Sequence, residues 1–245
     1  MTPTSCLLAA ISALLVGLSK TGLPGVSIPA ILLMAEAFPD DARASVGAIL
    51  PVLLVGDVFA VAWYRRHADW GRLLRLLPYV VAGMLPGVWV LTALPGNELR
   101  PVIGWMVLAM LTIEIGRQWF RWEHMPHRWW FIAGTGFLAG LATFVANAAM
   151  PIMSIYLVSQ DLDKHKFIGT AAWFFAILNL SKVPGYWAMG MLTPAMLPMN
   201  LWLAPLVILG ALLGVYVLAR IPQRFFNLLA LLFAGIAAMR LVLFV

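Results

Sequence analysis

Charge is what this sequence has least of. Of its 245 residues, 11% are charged and 63% are hydrophobic, whereas a water-soluble domain carries about 25% charged residues. So few charges cannot cover a water-facing surface, which excludes a soluble enzyme, a nucleic-acid binder and a disordered tail. Cysteine is nearly missing as well: the single Cys6 excludes an internal disulfide. Residues 1–19 lack the basic n-region of a secretory signal. The apolar runs contain no HExxH, no Ser/His/Asp set, no paired carboxylates and no histidine. No cofactor signature appears either. Ser19-Lys20-Thr21-Gly22 lacks the GxxxxGK[ST] spacing of a nucleotide loop.

What is present is a series of apolar runs, each long enough for a membrane span of about 20 residues. Ala44–Tyr64, Leu76–Leu94, Leu99–Ile115, Phe167–Ala188, Leu201–Ala219 and Phe225–Phe244 are uninterrupted spans. Leu7–Phe38 is broken at Ser19-Lys20-Thr21-Gly22-Leu23-Pro24-Gly25, and Phe131–Val158 at Ala146-Asn147-Ala148-Ala149-Met150-Pro151. Trp63, Trp70, Trp119, Trp122, Trp129 and Trp130 flank the basic loops, where interfacial anchors sit.

The two halves resemble each other. At an offset of 122, Asp41 meets Asp163, Gly47 meets Gly169, Asp57 meets Asn179 and Tyr64 meets Tyr186. At an offset of 127, Pro78 meets Pro205, Gly83 and Gly87 meet Gly210 and Gly214, and Pro95 meets Pro222. Each glycine pair forms a GxxxG, a signal for close helix packing.

Charge counting orients the halves. If both broken segments cross the membrane, 8 basic residues face 6. If both re-enter, each half crosses three times, the repeats are inverted, and 11 basic residues face 3. The positive-inside rule favours the second arrangement, with both termini extracytoplasmic. The expected fold is therefore an all-α polytopic membrane protein of two homologous, inverted repeats. Each repeat is an interrupted or re-entrant helical segment followed by three transmembrane helices. Residues 1–118 form the first repeat, 119–130 a polar linker and 131–245 the second.

Two breaks at matching points of two repeats are the sequence mark of a transporter site. Irregular backbone survives at membrane depth only when buried in protein or lining a wet cavity. Helix N-termini facing such a break carry partial positive charge and free N–H groups. Gly22 and Gly25 permit close backbone approach, and Ser19, Thr21 and Asn147 add hydrogen-bonding groups. Lys20 adds a full positive charge 13 residues into the apolar run, roughly 20 Å deep at 1.5 Å per residue. Together these suit a small anion with several oxygen acceptors.

Lys20 has an alternative reading, an interfacial lysine that snorkels to water. Charge at such depth costs about 2.5–3.5 kcal/mol on insertion scales, so contact with a ligand or counter-ion is the default. Asp57 is the acid well inside a span, and either takes part in proton coupling or fixes helix packing. Its repeat partner Asn179 cannot titrate. Lys182, one turn beyond Asn179, either contacts substrate or snorkels, and symmetry gives no reason to pair it with Asp57. Glu114 and Arg117 form a solvated i,i+3 pair. His124 and His127 beside Glu123 are too few ligands for a metal site.

Gly17-Leu18-Ser19-Lys20-Thr21-Gly22, Gly56-Asp57 with Tyr64-Arg65-Arg66-His67-Ala68-Asp69-Trp70, Leu162-Asp163-Lys164 with Phe167-Ile168-Gly169-Thr170, and Asn179-Leu180-Ser181-Lys182-Val183-Pro184 carry a wider likeness. Over nearly the whole chain the sequence resembles the TauE/SafE sulfite exporter family, also called the 4-toluene sulfonate uptake permeases. The resemblance implies a duplicated permease of the bacterial cytoplasmic membrane. It implies transport of sulfite, sulfonates or related organosulfur anions, driven by an ion or proton gradient. Lys20, Thr21 and Gly22 match the family's first motif, and Asp57, Asn179 and Lys182 its polar positions in the second spans. Many relatives resemble His-Ala, glycines and Pro where this chain has Ala146–Pro151, so its site is narrower or less polar there.

The expected partners are thus a small anionic substrate, a coupling proton or ion, and membrane lipids. The candidate substrate residues are Ser19, Lys20, Thr21, Gly22, Asn147, Asn179 and Lys182, with Asp57 for coupling. The competing readings are an intramembrane lipid- or acyl-modifying enzyme and a structural membrane subunit.

Overall fold

Short polar residues start the helices where the apolar runs begin. The computed structural model describes residues 2–22, 26–94, 96–120, 129–160, 162 and 164–217. Thr2 caps α1 (Pro3–Thr21): its side chain accepts from the Ser5 N–H, and Pro3 occupies the first turn, where its missing donor costs nothing. Asp41 caps α3 (Ala42–Tyr64) through the Ala44 N–H, and Asp69 caps α4 (Trp70–Ala93) through the Arg72 N–H. That cap is why α4 begins at Trp70, six residues before the apolar run marks it. The Arg72 N–H, aided by the Arg72 guanidinium, holds the Asp69 carboxyl below its usual range. The remaining helices are α2 (Ser27–Ala37), α5 (Gly96–Phe120), α6 (Trp129–Ala146), α7 (Met150–Ser159), α8 (Lys164–Ala188) and α9 (Leu197–Val217).

The described chain is all helix and turn. Among the described residues, six helices are long and apolar enough to cross a membrane. The last expected span, Phe225–Phe244, and the loop with His124 and His127 lie outside the described residues, as do the side chains of Glu114 and Arg117. Trp63, Trp70, Trp129 and Trp130 are exposed at helix ends, as interfacial anchors are; Trp122 and the side chain of Trp119 lie outside the description.

Contacts set the helix directions. The Ser12 hydroxyl donates to the Ala30 carbonyl at 2.6 Å, so α2 runs back along α1. Helix α3 then runs parallel to α1, because Lys20 reaches Asp57 and Tyr64 reaches Thr21. Helix α8 is antiparallel to α3: Gly47 lies against Met191, Asp57 against Asn179 and Gly169 against His67. In the other half α6 runs parallel to α8, with Lys182 reaching Thr143 and Tyr186 reaching Phe144. Thus α1 and α6 point in opposite directions. The start of α8 meets the end of α3 and the single turn after it, Arg65–His67; this is the basic end of the bundle.

Glycine lets two helix pairs touch at their backbones. In α1 and α9, Gly17 abuts the Val207 carbonyl and Gly210 the Leu14 carbonyl. In α4 and α6, Gly140 abuts the Val80 carbonyl and Gly83 the Phe137 carbonyl. A Cβ at any of these four positions would collide with backbone, which cannot yield as a flexible side chain can. Both GxxxG motifs therefore work as packing devices, with Gly87 against Phe144 and Gly214 against Thr21.

Gly140→Ala should lower the thermal unfolding midpoint in detergent, by an overpacking cost of about 1–3 kcal/mol. Gly134→Ala, six residues earlier on the same helix and open to its surroundings, should be neutral or stabilising. Equal effects would contradict the packing argument.

Candidate functional site

The breaks differ in detail from the sequence expectation. Ser19, Lys20 and Thr21 are not in the first break: they form the last turn of α1, whose C-cap is Gly22. Their N–H groups are spent inside the helix, so this end presents carbonyls and the negative end of the dipole. Residues 23–25, including Gly25, lie outside the described residues. The second break is Asn147 to Ala149. Asn147 adopts φ 55°, a left-handed conformation that asparagine tolerates better than most side chains. Its N–H still donates to the Thr143 carbonyl at 3.1 Å, and the Ala148 N–H reaches back to the Ala142 carbonyl at 3.2 Å.

Each broken end is capped from the neighbouring long helix. The Tyr64 hydroxyl donates to the Thr21 carbonyl at 3.2 Å. The Tyr186 hydroxyl donates to the Phe144 carbonyl at 2.5 Å. Tyr64 and Tyr186 are the pair matched at the 122-residue offset. Carbonyls left bare at membrane depth are costly, and these tyrosines remove two of them.

Among the described residues, the charged side chains buried below one-tenth exposure are Lys20, Asp57 and Lys182. Lys20 and Asp57 form an ion pair at 2.5 Å, with side-chain exposures of 4% and 1%. The second Asp57 oxygen accepts from the Asn179 side chain at 2.5 Å. The Lys20 ammonium also lies over the Phe175 ring, 4.8 Å from its centroid, a cation–π contact. Gly56 keeps the lysine stem in place: a Cβ there would meet Lys20 Cγ at 3.0 Å. Lys20 therefore does not snorkel to water. Its charge is held inside the bundle, at the C-terminal end of a helix that favours a cation.

Lys182 does not snorkel either: it is fully buried. Its Nζ donates to Asn147 Oδ1 at 2.6 Å, Thr143 Oγ1 at 3.1 Å and the Thr143 carbonyl at 3.3 Å. Asn147 completes its own bonding by donating to the Val46 carbonyl at 3.3 Å. A lysine thus sits at the C-terminal end of each broken helix, from α1 itself in the first half and from α8 in the second.

A cavity of about 30 Å³ opens beside Lys20, room for about two waters. Ser19, Lys20, Thr21 and Gly22 line one side, Met150 at the start of α7 another, and Phe167, Ile168, Ala171, Ala172 and Phe175 of α8 the rest. It lies toward the basic end. Asn147, Asn179 and Lys182 are not in its lining. The hydroxyls expected to hold an anion are engaged: Ser19 donates to the Val16 carbonyl at 2.8 Å, and Thr21 to the Ala211 carbonyl at 2.8 Å. The fixed cation at this cavity is Lys20.

Lys20, Asp57, Asn147, Asn179 and Lys182 each stand out in the sequence. The Lys20–Asp57 contact and Thr143 as the anchor of Lys182 do not. A lone threonine in an apolar helix carries no signal by itself. Its one clue is position, four residues before Asn147 and so on the same helix face.

The family model described as Sulfite exporter TauE/SafE matches residues 5–241. No curated protein and no solved structure matches.

Tyr186→Phe keeps the ring packing against Phe144 and deletes the hydroxyl alone. It should cost about 1–3 kcal/mol of stability by leaving a buried carbonyl unpaired. Tyr64→Phe, at a half-buried position with a longer bond, should cost less. Thermal unfolding of the two purified variants checks the order.

Proposed function

The chain belongs to the sulfite exporter TauE/SafE family, and from that premise we propose that it is a multi-pass carrier of small sulfur-containing anions such as sulfite or sulfonates. Its expected place is the bacterial cytoplasmic membrane, with the basic end inside. The observation that carries this reading is the buried Lys20–Asp57 pair beside a cavity at the end of a broken helix. A buried ammonium needs a negative partner. At rest that partner is Asp57. An anion entering the cavity competes with Asp57 for Lys20, and a proton on Asp57 releases the lysine for the anion. Substrate binding and protonation are then linked, which is how a proton gradient drives an anion carrier.

We read the two halves as inverted repeats, each a helical hairpin followed by three spans. The opposite directions of α1 and α6 support it. So do contacts that recur in pairs: Gly17 on Val207 with Gly140 on Val80, Gly210 on Leu14 with Gly83 on Phe137, and Tyr64 on Thr21 with Tyr186 on Phe144. Asp57 and Asn179, matched by the repeat, meet each other where α3 crosses α8. In this scheme Ser19, Lys20, Thr21 and Gly22 border the substrate, and Asp57 couples it to the proton. Asn179 orients Asp57, and Lys182 with Asn147 supplies positive charge and polar contact in the second half. Relative movement of the halves would expose the site to either side in turn.

Sulfite flux into proteoliposomes under an imposed pH gradient tests this. Wild-type flux should follow the gradient, and Lys20→Ala should reduce it to the protein-free background at matched protein content. Full flux in Lys20→Ala would remove Lys20 from the site. No flux of any sulfur anion from folded wild type would overturn the carrier reading.

A further inference from the structure

The Lys20 ammonium has donors to spare. It carries three, and among the described residues one oxygen accepts from it, Asp57 Oδ1 at 2.5 Å. Lys182 gives the contrast, with three oxygens about its nitrogen. The other partner of Lys20 is a ring. Its nitrogen lies over Phe175, 4.8 Å from the ring centroid, and both residues are buried, at 9% and 5% exposure. A ring face is negative and its edge positive, so the face attracts a cation and repels an anion. The attraction is strongest out of water, yet it stays weaker than a hydrogen bond between two ions.

The same ring borders the cavity. Ile168, Ala171, Ala172 and Phe175 recur at helical spacing along α8 and line it together with Lys20. An anion that bonds to Lys20 from this cavity approaches beside Phe175, and it needs the donors that Asp57 does not hold. Among the described residues, the ring is what those donors meet. Oxygen and ring face are therefore rivals for one ammonium. Of the groups around it, the ring is the one able to yield. The lysine stem runs against Gly56, where a Cβ would come within 3.0 Å of Lys20 Cγ. Asp57 is tied by Asn179. A helical side chain leans over the turn before it, and for Phe175 that turn holds Ala171 and Ala172, which carry little bulk and line the cavity.

We propose that Phe175 is a positioning residue that sets the substrate affinity of this site: its ring holds the Lys20 ammonium until an anion displaces it. The inference rests on the carrier function proposed above. It gives the ring's effect a definite sign. The contact exists in the empty site and is given up in the loaded one, so a stronger attraction between ring and cation weakens anion binding. A ring that only fills space has no such electronic dependence.

Fluorinated phenylalanines separate charge from shape. Each fluorine drains negative charge from the ring face and hardly alters its outline. The full chain is made with one, two or three fluorines on the ring at position 175, and also as Phe175→Leu. Each protein is reconstituted in proteoliposomes at a fixed pH gradient. Sulfite and methanesulfonate are the probes, and KM and kcat are measured for whichever the wild type carries. KM should fall step by step with fluorine count, by about threefold in all, and by about tenfold in Phe175→Leu, which has no ring. The kcat should hold, because the loaded site no longer contains the contact. A KM that rises with fluorine count would mean that the ring stays on Lys20 in the loaded site, and would overturn the displacement. A KM that ignores fluorine count would leave the ring a packing group, and would overturn it as well. In both cases the carrier stands. Should Phe175→Leu fail to fold, the fluorinated series, which keeps the ring's shape, decides alone. Uptake of neither anion by folded wild type would overturn the carrier reading and this inference together.

Discussion

The structure depends on one ion pair held out of water. Bringing Lys20 and Asp57 into the interior costs several kcal/mol per ion, and their attraction offsets it only if the geometry is tight and the remaining lone pairs are bonded. Here both conditions are met. The pair is at 2.5 Å, and Asn179 takes the free carboxylate oxygen. The bundle is arranged around this requirement. Helix α1 stops at Gly22, which leaves the ammonium at the negative end of a helix. Gly56 clears space for the lysine stem, and α8 crosses α3 where Asn179 can reach Asp57. A pair held this way is stable when left alone and unstable when either partner is taken, a suitable state for a site whose ligand must be bound and then released.

The two halves solve the same problem differently. In the first, the ammonium is balanced by a carboxylate and borders an open cavity. In the second, the Lys182 nitrogen is satisfied by neutral oxygens at the end of α6, and Asn147 holds the left-handed turn that makes those oxygens converge. The tyrosines are the shared element, each covering a carbonyl of its broken helix. The two halves thus differ in their charged groups, while tyrosine capping and glycine packing occur in both.

Much of the fold is legible in the sequence, because a bilayer restricts what a chain can do. Length and hydropathy mark the spans, and glycines at paired positions mark α4 and α9 as close-packing helices, but not the helices they pack on. Boundaries shift where a polar cap outranks hydropathy, as Asp69 does for α4. The breaks show through Gly, Pro and Asn, but their exact start does not: Ser19-Lys20-Thr21 reads as loop by composition and is helix by structure. The site residues are legible one by one, since charge and amide groups stand out against apolar runs. Their pairing is not, because it depends on which faces α1, α3 and α8 turn to each other. Lys20 and Asp57 are 37 residues apart, and no local pattern joins them. The hydroxyls mislead in the other direction: Ser19 and Thr21 look like ligand donors and are bonded to backbone carbonyls.

A double-mutant cycle on Lys20 and Asp57 tests the dependence on this pair most directly. Thermal unfolding of Lys20→Met, Asp57→Leu and the double variant would be compared with wild type in one detergent. Each single change strands a buried charge and should cost about 3–5 kcal/mol. The double change removes both charges, so it should be more stable than either single variant, which requires a coupling larger than either single loss, about 3–5 kcal/mol. Additive losses would mean that the two side chains act independently, and would contradict the account.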